Sequence, residues 1–255
     1  MPSEKYIKFE NQILHYYLFE NSSNRTYYVM LHGWGLESKV WIDIGKYIYD
    51  ISSSNVILLD LPGFGQSSKL KHKYSFYAYC EMIEKIINKV CNTKAEIILI
   101  GHSFGGKISS VVASRKQLNI KKIILIDSAA FKDNSFKTQI IKLFSTIMPK
   151  QIKEISIVKK ITQKFRTSDY NEINDENIKF LFLSTIETDI SEILKKIQTK
   201  IDIIWGENDE ITPLSQGIKI QQLVNAKNLF IIKNAKHLPF LENKDEFLKA
   251  LNQIL

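Results

Sequence analysis

Short apolar, β-branched runs alternate with longer amphipathic segments along most of the chain, and this alternation restricts the possible folds more than any other feature. Two leading runs, at residues 6–9 and 13–18, are predicted to pair as antiparallel strands around a turn at 10–12. Several of the later runs are nearly continuous in apolar residues, as is typical of strands buried on both faces of a parallel sheet. The six later runs lie at residues 27–31, 56–59, 96–100, 122–126, 201–205 and 229–232.

The segments between these runs predict helices, at residues 39–51, 75–91, 104–115, 213–223 and 244–254. Alternation of strands and helices favours right-handed crossovers and a doubly wound α/β sheet. The interval 129–199 interrupts this order, because it has a helix-like pattern without a strand run. An insertion of this size at the carboxyl edge of a sheet is expected to lie over the site as a lid. We therefore predict a core of residues 1–128 and 200–255, with a helical lid at 129–199.

Composition excludes several classes of protein. The 255 residues are 44% hydrophobic, which is enough for a full core and argues against disorder. No apolar run approaches the roughly 20 residues of a membrane helix, and the first residues do not resemble a signal peptide, so a cytoplasmic location without stable membrane insertion is expected. The net charge is +8, but only three of the 35 basic residues are Arg. This excess of Lys favours a solvated surface over nucleic-acid binding.

The two cysteines, Cys80 and Cys91, fall within one predicted helix. Eleven residues of helix span about 16 Å, which is too far for a disulfide. No second pair of cysteines exists that could complete a metal site. We expect both thiols to be buried as small apolar groups.

Ser103 lies in the most informative segment, Gly101-His-Ser-Phe-Gly105, between a predicted strand and a predicted helix. A turn this sharp crowds the backbone, so glycine is needed two residues before and two residues after the serine. The turn directs the hydroxyl away from the sheet and towards a helix N-terminus, where backbone N–H groups gather. Ser103 is therefore a candidate nucleophile. Lys107 follows one turn later, and the sequence leaves open whether it pairs with a carboxylate or reaches solvent.

This strand, turn and helix resemble the nucleophile elbow of the α/β-hydrolases, and the similarity extends over nearly all of the chain outside residues 129–199. The resemblance implies a mostly parallel eight-stranded sheet flanked by helices, with a helical lid. It also implies a serine nucleophile activated by a histidine and an acid, with neither a cofactor nor a metal.

The resemblance places the other two members of a triad after Ser103. His237 is the only later histidine, and its loop resembles the family's histidine loop before the last helix. Asp209 follows a buried strand in Gly206-Glu-Asn-Asp, which is similar to the acid loop of the family. Asp127, at the end of the sixth predicted strand, is kept as the alternative acid, because some relatives carry the acid there.

Two backbone N–H groups are implied as donors to an oxyanion. Phe104 directly follows the nucleophile, and Trp34 lies in His32-Gly-Trp-Gly-Leu36, which resembles the family's His-Gly motif. The resemblance also implies that the ring of Trp34 forms a wall of the acyl site, as a substrate-binding residue. It gives His32 a structural role.

Three short segments together look like the pimeloyl-[acyl-carrier protein] methyl ester esterases of biotin synthesis: residues 32–36, Val40-Trp41 and residues 60–67. The interval 132–166 of the predicted lid carries nine basic residues against two acidic ones. These basic groups either attract an acidic acyl carrier protein or another anionic partner, or they form a solvated surface. The sequence leaves both interpretations open.

The leading functional hypothesis is a serine hydrolase that cleaves a carboxylic ester or thioester of a small acyl substrate. The alternative on the same fold is a C–C bond hydrolase or the related lyase of menaquinone synthesis. A third hypothesis, from another class, is a catalytically silent protein that binds a ligand.

Overall fold

A computed structural model describes residues 1–91, 94–132 and 175–255. Its centre is an eight-stranded sheet in the order β1-β2-β4-β3-β5-β6-β7-β8. β2 runs antiparallel to both of its neighbours, and the pairs from β4 to β8 are parallel. The strands are β1 (Ser3–Phe9), β2 (Gln12–Phe19), β3 (Thr26–Leu31), β4 (Asn55–Leu59), β5 (Glu96–His102), β6 (Ile120–Ile126), β7 (Lys200–Gly206) and β8 (Leu229–Ile232).

Helices connect the strands, and a 3₁₀ turn at Ser38–Trp41 precedes the first of them. Some begin at residues whose side chains accept a backbone hydrogen bond, as Ser75 does from the N–H of Ala78 at 3.3 Å. The described helices are α1 (Ile42–Ser52), α2 (Phe76–Val90), α3 (Phe104–Ser114), α4 (Glu176–Glu187), α5 (Ser191–Leu194), α6 (Leu214–Val224), α7 (Pro239–Glu242) and α8 (Lys244–Asn252).

Successive strand residues point to opposite faces of the sheet, and each face is covered by its own layer of helices. On β6, Ile123 and Leu125 pack in the cluster that includes α2, α3 and α6, whereas Ile124 and Ile126 pack in the cluster with α1, α7 and α8. Because the central strands are buried on both faces, their sequences are mostly apolar, with exceptions such as Asp202 on β7. Among the described residues, no helix is long and apolar enough to cross a bilayer.

The predicted fold class is confirmed: the sheet has eight mostly parallel strands with helices on both faces. Both cysteines are buried and free. Within the interval predicted as a lid, the described residues form α4 and α5, and residues 133–174 lie outside the described part of the chain. The lid and its boundaries stay a prediction.

Candidate active site

Ser103 stands at the turn between β5 and α3, with φ at 52° and ψ at −112°. A positive φ is strained for serine, and such strain is typical of functional turns. The flanking glycines are required by close packing. A Cβ on Gly101 would lie 2.4 Å from the carbonyl oxygen of Gly105, and a Cβ on Gly105 would lie 2.2 Å from the carbonyl oxygen of Leu31. No side chain fits at either position.

The structure brings Ser103, His237 and Asp209 together from three separate loops. Nε2 of His237 lies 3.0 Å from Oγ of Ser103, and Nδ1 lies 2.8 Å from Oδ2 of Asp209. With its proton on Nδ1, the imidazole donates to the carboxylate, and Nε2 is left to accept the serine proton. This hydrogen-bonded chain is the arrangement that activates a serine hydroxyl.

Asp209 is held by backbone and side-chain donors from the turn that follows it. Oδ1 accepts the N–H groups of Ile211 at 2.8 Å and Thr212 at 3.1 Å, and Oδ2 accepts the Thr212 hydroxyl at 2.7 Å. Burial acts to raise the pKa of the Asp209 carboxyl, but the His237 charge and the hydrogen bonds to the carboxylate outweigh it and hold this pKa below its usual value. Asp209 is thus ionised beside the imidazole.

Asp127, the alternative acid, follows β6 and is also buried beside this group. Its Oδ1 accepts the backbone N–H of Gly206 at 2.8 Å. Asp209, and not Asp127, accepts the hydrogen bond from Nδ1 of His237. The geometry therefore favours Asp209 as the acid partner of His237.

Aromatic rings cluster around Trp34. The ring of Trp34 lies 5.0 Å from that of Phe104, 5.0 Å from that of Phe182 on α4 and 5.1 Å from that of Phe64. The loop that carries Trp34 passes beside Ser103, since a Cβ on the preceding Gly33 would lie 3.3 Å from Cβ of Ser103.

The backbone N–H of Phe104 lies at the N-terminus of α3, directly after Ser103. Phe104 begins α3, so its N–H is one of the first four of the helix, which have no acceptor within the helix. His32 connects two loops away from the reacting atoms: its Nδ1 donates to the Gly33 carbonyl at 2.8 Å, and its Nε2 accepts the N–H of Leu61 at 3.0 Å.

Residues 29–163, more than half of the chain, match the alpha/beta hydrolase fold family. The chain belongs to this family. A solved esterase from Thermogutta terrifontis has the same fold as this α/β-hydrolase, with a TM-score of 0.72 and 18% identity, over 99% of this chain and 97% of that one.

Curated relatives span nearly the whole hydrolase. A pimeloyl-[acyl-carrier protein] methyl ester esterase from Pseudoalteromonas atlantica is 27% identical over 243 residues, covering 87% of this chain and 91% of the relative. The protein of the same name from Wigglesworthia glossinidia brevipalpis is 29% identical over 89% of this chain and 92% of its own. A monoacylglycerol lipase from Xenopus laevis is 22% identical over a stretch that covers 98% of this chain and 81% of the relative.

Sequence reasoning did not assign a role to two further residues of the hydrolase site. His102, adjacent to the nucleophile, donates from Nε2 to the carbonyl oxygen of His237 at 2.7 Å and so holds the histidine loop. Burial and the neighbouring His237 charge lower the pKa of the His102 ring well below its usual value, so it stays neutral. Thr212 contacts both Asp209 and His237. The sequence signals for these two roles were the position of His102 next to Ser103 and the position of Thr212 three residues after Asp209.

Lys107 neither pairs with a described carboxylate nor reaches solvent, so the structure answers the question that the sequence left open. Its side chain is buried, and Nζ donates to the carbonyl oxygens of Thr185 at 2.7 Å and Thr188 at 2.5 Å, at the end of α4. Nζ also lies 5.3 Å from the centroid of the Phe76 ring. This lysine therefore joins the nucleophile helix to α4 of the hydrolase.

Proposed function

We propose that the protein is a serine carboxylic ester hydrolase, with Ser103 as nucleophile, His237 as general base and Asp209 as the acid that orients it. One observation carries the proposal: Oγ of Ser103, the two nitrogens of His237 and Oδ2 of Asp209 form a continuous hydrogen-bonded chain at a strained elbow. An aspartate at the nucleophile position would have indicated haloalkane or epoxide chemistry instead.

In the acylation step, Oγ of Ser103 attacks the acyl carbon while Nε2 of His237 takes the hydroxyl proton. The negative charge that develops on the acyl oxygen is stabilised by the backbone N–H groups of Trp34 and Phe104. The ester C–O bond then breaks, and the alcohol leaves with the proton from the imidazolium. Asp209 stabilises this imidazolium throughout, because it is ionised and already hydrogen-bonded to Nδ1.

In the deacylation step, a water molecule beside His237 attacks the acyl carbon of the acyl-enzyme. His237 takes a proton from the water, and the second tetrahedral intermediate uses the same two N–H groups. Breaking of the acyl–Oγ bond returns the proton to Ser103 and releases the carboxylic acid. Apart from the water molecule, each group that these steps use belongs to the chain itself.

The substrate class follows from the walls of the site and from the relatives. The rings of Trp34, Phe64, Phe104 and Phe182 pack together as an apolar wall, and Phe104 directly follows Ser103. Such a wall suits the hydrocarbon part of an acyl chain. The names of the curated relatives describe an ester on an acyl carrier protein and a monoacylglycerol. We therefore infer a small acyl ester, including one linked to an acidic acyl carrier protein. The lid lysines invoked for such docking, between residues 132 and 166, lie almost wholly outside the described residues.

Fluorophosphonate labelling and p-nitrophenyl ester turnover test the nucleophile. Ser103→Ala should abolish both. Ser110→Ala should change neither, because among the described residues the Ser110 hydroxyl bonds only the Gly106 carbonyl within α3. Labelling that persists in Ser103→Ala would place the nucleophile elsewhere. A panel of methyl esters, free and carrier-linked, then measures specificity. Turnover of vinylogous diketones without ester turnover would favour C–C cleavage instead.

A further inference from the structure

Two carboxyl groups are buried side by side in the site, although the proposed mechanism uses only one. Asp127 and Asp209 come from the loops after β6 and β7, and both side chains are almost fully buried. One carboxyl oxygen of each, with one ring nitrogen of His237, lie within 4.8 Å of one another. Two buried carboxylates this close cannot both be ionised, because their charges repel and neither is solvated.

The hydrogen bonds show which of the two carries the charge. Asp209 accepts the donors described above, on both oxygens. Asp127 accepts one, from the N–H of Gly206 to Oδ1, and no donor of the described residues reaches its buried Oδ2. A buried carboxylate oxygen without a donor is costly, whereas a protonated one is itself a donor.

The backbone of Asp127 adds an independent observation. Its φ is 42°, in the left-handed region, where a non-glycine residue is uncommon. The surrounding structure must impose this conformation, and strain of this kind clusters at functional sites. The Asp127 carboxyl lies close to that of Asp209. The Thr212 hydroxyl, 3.1 Å from the Asp127 carbonyl oxygen, connects the two loops.

We propose that Asp127 is protonated in the working enzyme and that its Oδ2–H donates a hydrogen bond to the Asp209 carboxylate. Asp127 is then a positioning residue of the triad. It limits the pair of carboxyl groups to one negative charge, which lies on Asp209, and it keeps that carboxylate directed at Nδ1 of His237. The proposal rests on the ester hydrolase mechanism above, but the protonation itself can be tested without activity.

The electrostatics of the neighbouring groups agree with this assignment. Burial, followed by the charge of Asp209 and a hydrogen bond to it, raises the pKa of the Asp127 carboxyl well above its usual value. Glu242 on α7 acts in the same direction, and the Gly206 N–H acts against it. The hydrogen bond from Asp127 in turn helps to lower the pKa of Asp209.

Infrared difference spectroscopy at pH 7 between the wild type and Asp127→Asn measures the protonation state directly. The variant should lose the C=O stretch of a protonated carboxylic acid, and this band should shift in heavy water. Loss of carboxylate bands alone would show that Asp127 is ionised and would overturn the proposal. The outcome does not depend on which substrate the enzyme uses.

The rate constant of fluorophosphonate labelling tests the positioning role, with unfolding midpoints checking that each variant folds. Asp127→Ala should slow labelling about 10- to 100-fold, the effect of losing a hydrogen bond to a charged group. Asp127→Asn keeps a neutral donor and should recover most of that loss, while Ser128→Ala, next in the chain, serves as the matched control. Equal loss in Asn and Ala, or no loss in Ala, would refute the positioning role. Failure of the wild type to be labelled would refute the ester hydrolase mechanism instead.

Discussion

Lys107 carries a buried amine whose ionisation should be visible in the pH dependence of stability. Its side chain is 1% exposed, and burial lowers its pKa to about 8, although the Asp189 charge acts in the opposite direction. In the unfolded chain the same amine titrates near the ordinary lysine value of 10.5. Substitution by Met removes the ionisation while keeping the length of the side chain.

The sign of the effect follows from counting protons. Between the two pKa values the unfolded chain binds the proton and the folded chain does not, so the free energy of unfolding rises with pH. Below about pH 8 both states are charged, and the full destabilisation of about 3.4 kcal/mol is present. Between pH 7 and about pH 9.5, Lys107 should therefore add about 2 kcal/mol to wild-type stability. The neutral amine keeps two N–H groups for the carbonyls of Thr185 and Thr188.

Urea unfolding at several pH values measures this difference. The wild type should gain about 2 kcal/mol relative to Lys107→Met between pH 7 and about pH 9.5, and the other titrating groups cancel in the comparison. Lys46→Met is the control for replacing a lysine by Met, because the Lys46 side chain is 59% exposed. Parallel stability curves for the wild type and Lys107→Met would show that the amine does not titrate in this range.

The remaining predictions concern two carboxylates. Asp209→Asn should lower kcat/KM for a p-nitrophenyl ester by about 10⁴-fold, because an amide cannot stabilise the imidazolium; a larger loss in Asp127→Asn would mean that the acid is misassigned. Hydrogen bonds from His15 and the Gln66 N–H to Asp60 outweigh burial and lower its pKa to about 2. The stability that Asp60 contributes should be present above about pH 4 and should be lost as the pH falls to about 2. In urea titrations, the free energy of unfolding of the wild type should fall by about 2 kcal/mol relative to that of Asp60→Asn over this range. An equal loss of stability in acid for the wild type and Asp60→Asn would contradict the lowered pKa of Asp60.

The buried strands could be predicted closely from the sequence because burial on both faces makes most of their residues apolar. The last strand, Leu229–Ile232, was predicted without error, and the others differ by up to three residues at an end. The largest difference is β1, which begins at Ser3, because this edge strand is exposed over its first residues and carries no apolar signal there. β5 continues to His102 because Gly101 pairs with Leu125 of β6, a contact that a strand pattern does not contain.

The site was predictable where a residue type and a local turn suffice. Ser103 could be found from its own turn, since the glycine spacing is a local steric requirement. The environment of Lys107 could not be predicted in this way, because its acceptors lie 78 and 81 residues away in the chain, at the end of α4. The same holds for Asp127, whose protonation depends on how closely Asp209 approaches it in the folded chain.

Helix α3 connects the reacting atoms to α4. Ser103 precedes its first residue, and Lys107, one turn later, holds the carbonyls at the end of α4. α4 in turn places Phe182 against the ring of Trp34, whose backbone is the proposed second oxyanion donor. A displacement of α4 would therefore strain the Lys107 hydrogen bonds and open the apolar wall at the same time. Because interior packing transmits such strain, the apolar wall and the nucleophile helix are linked through the buried amine of Lys107 as well as through the ring of Phe104.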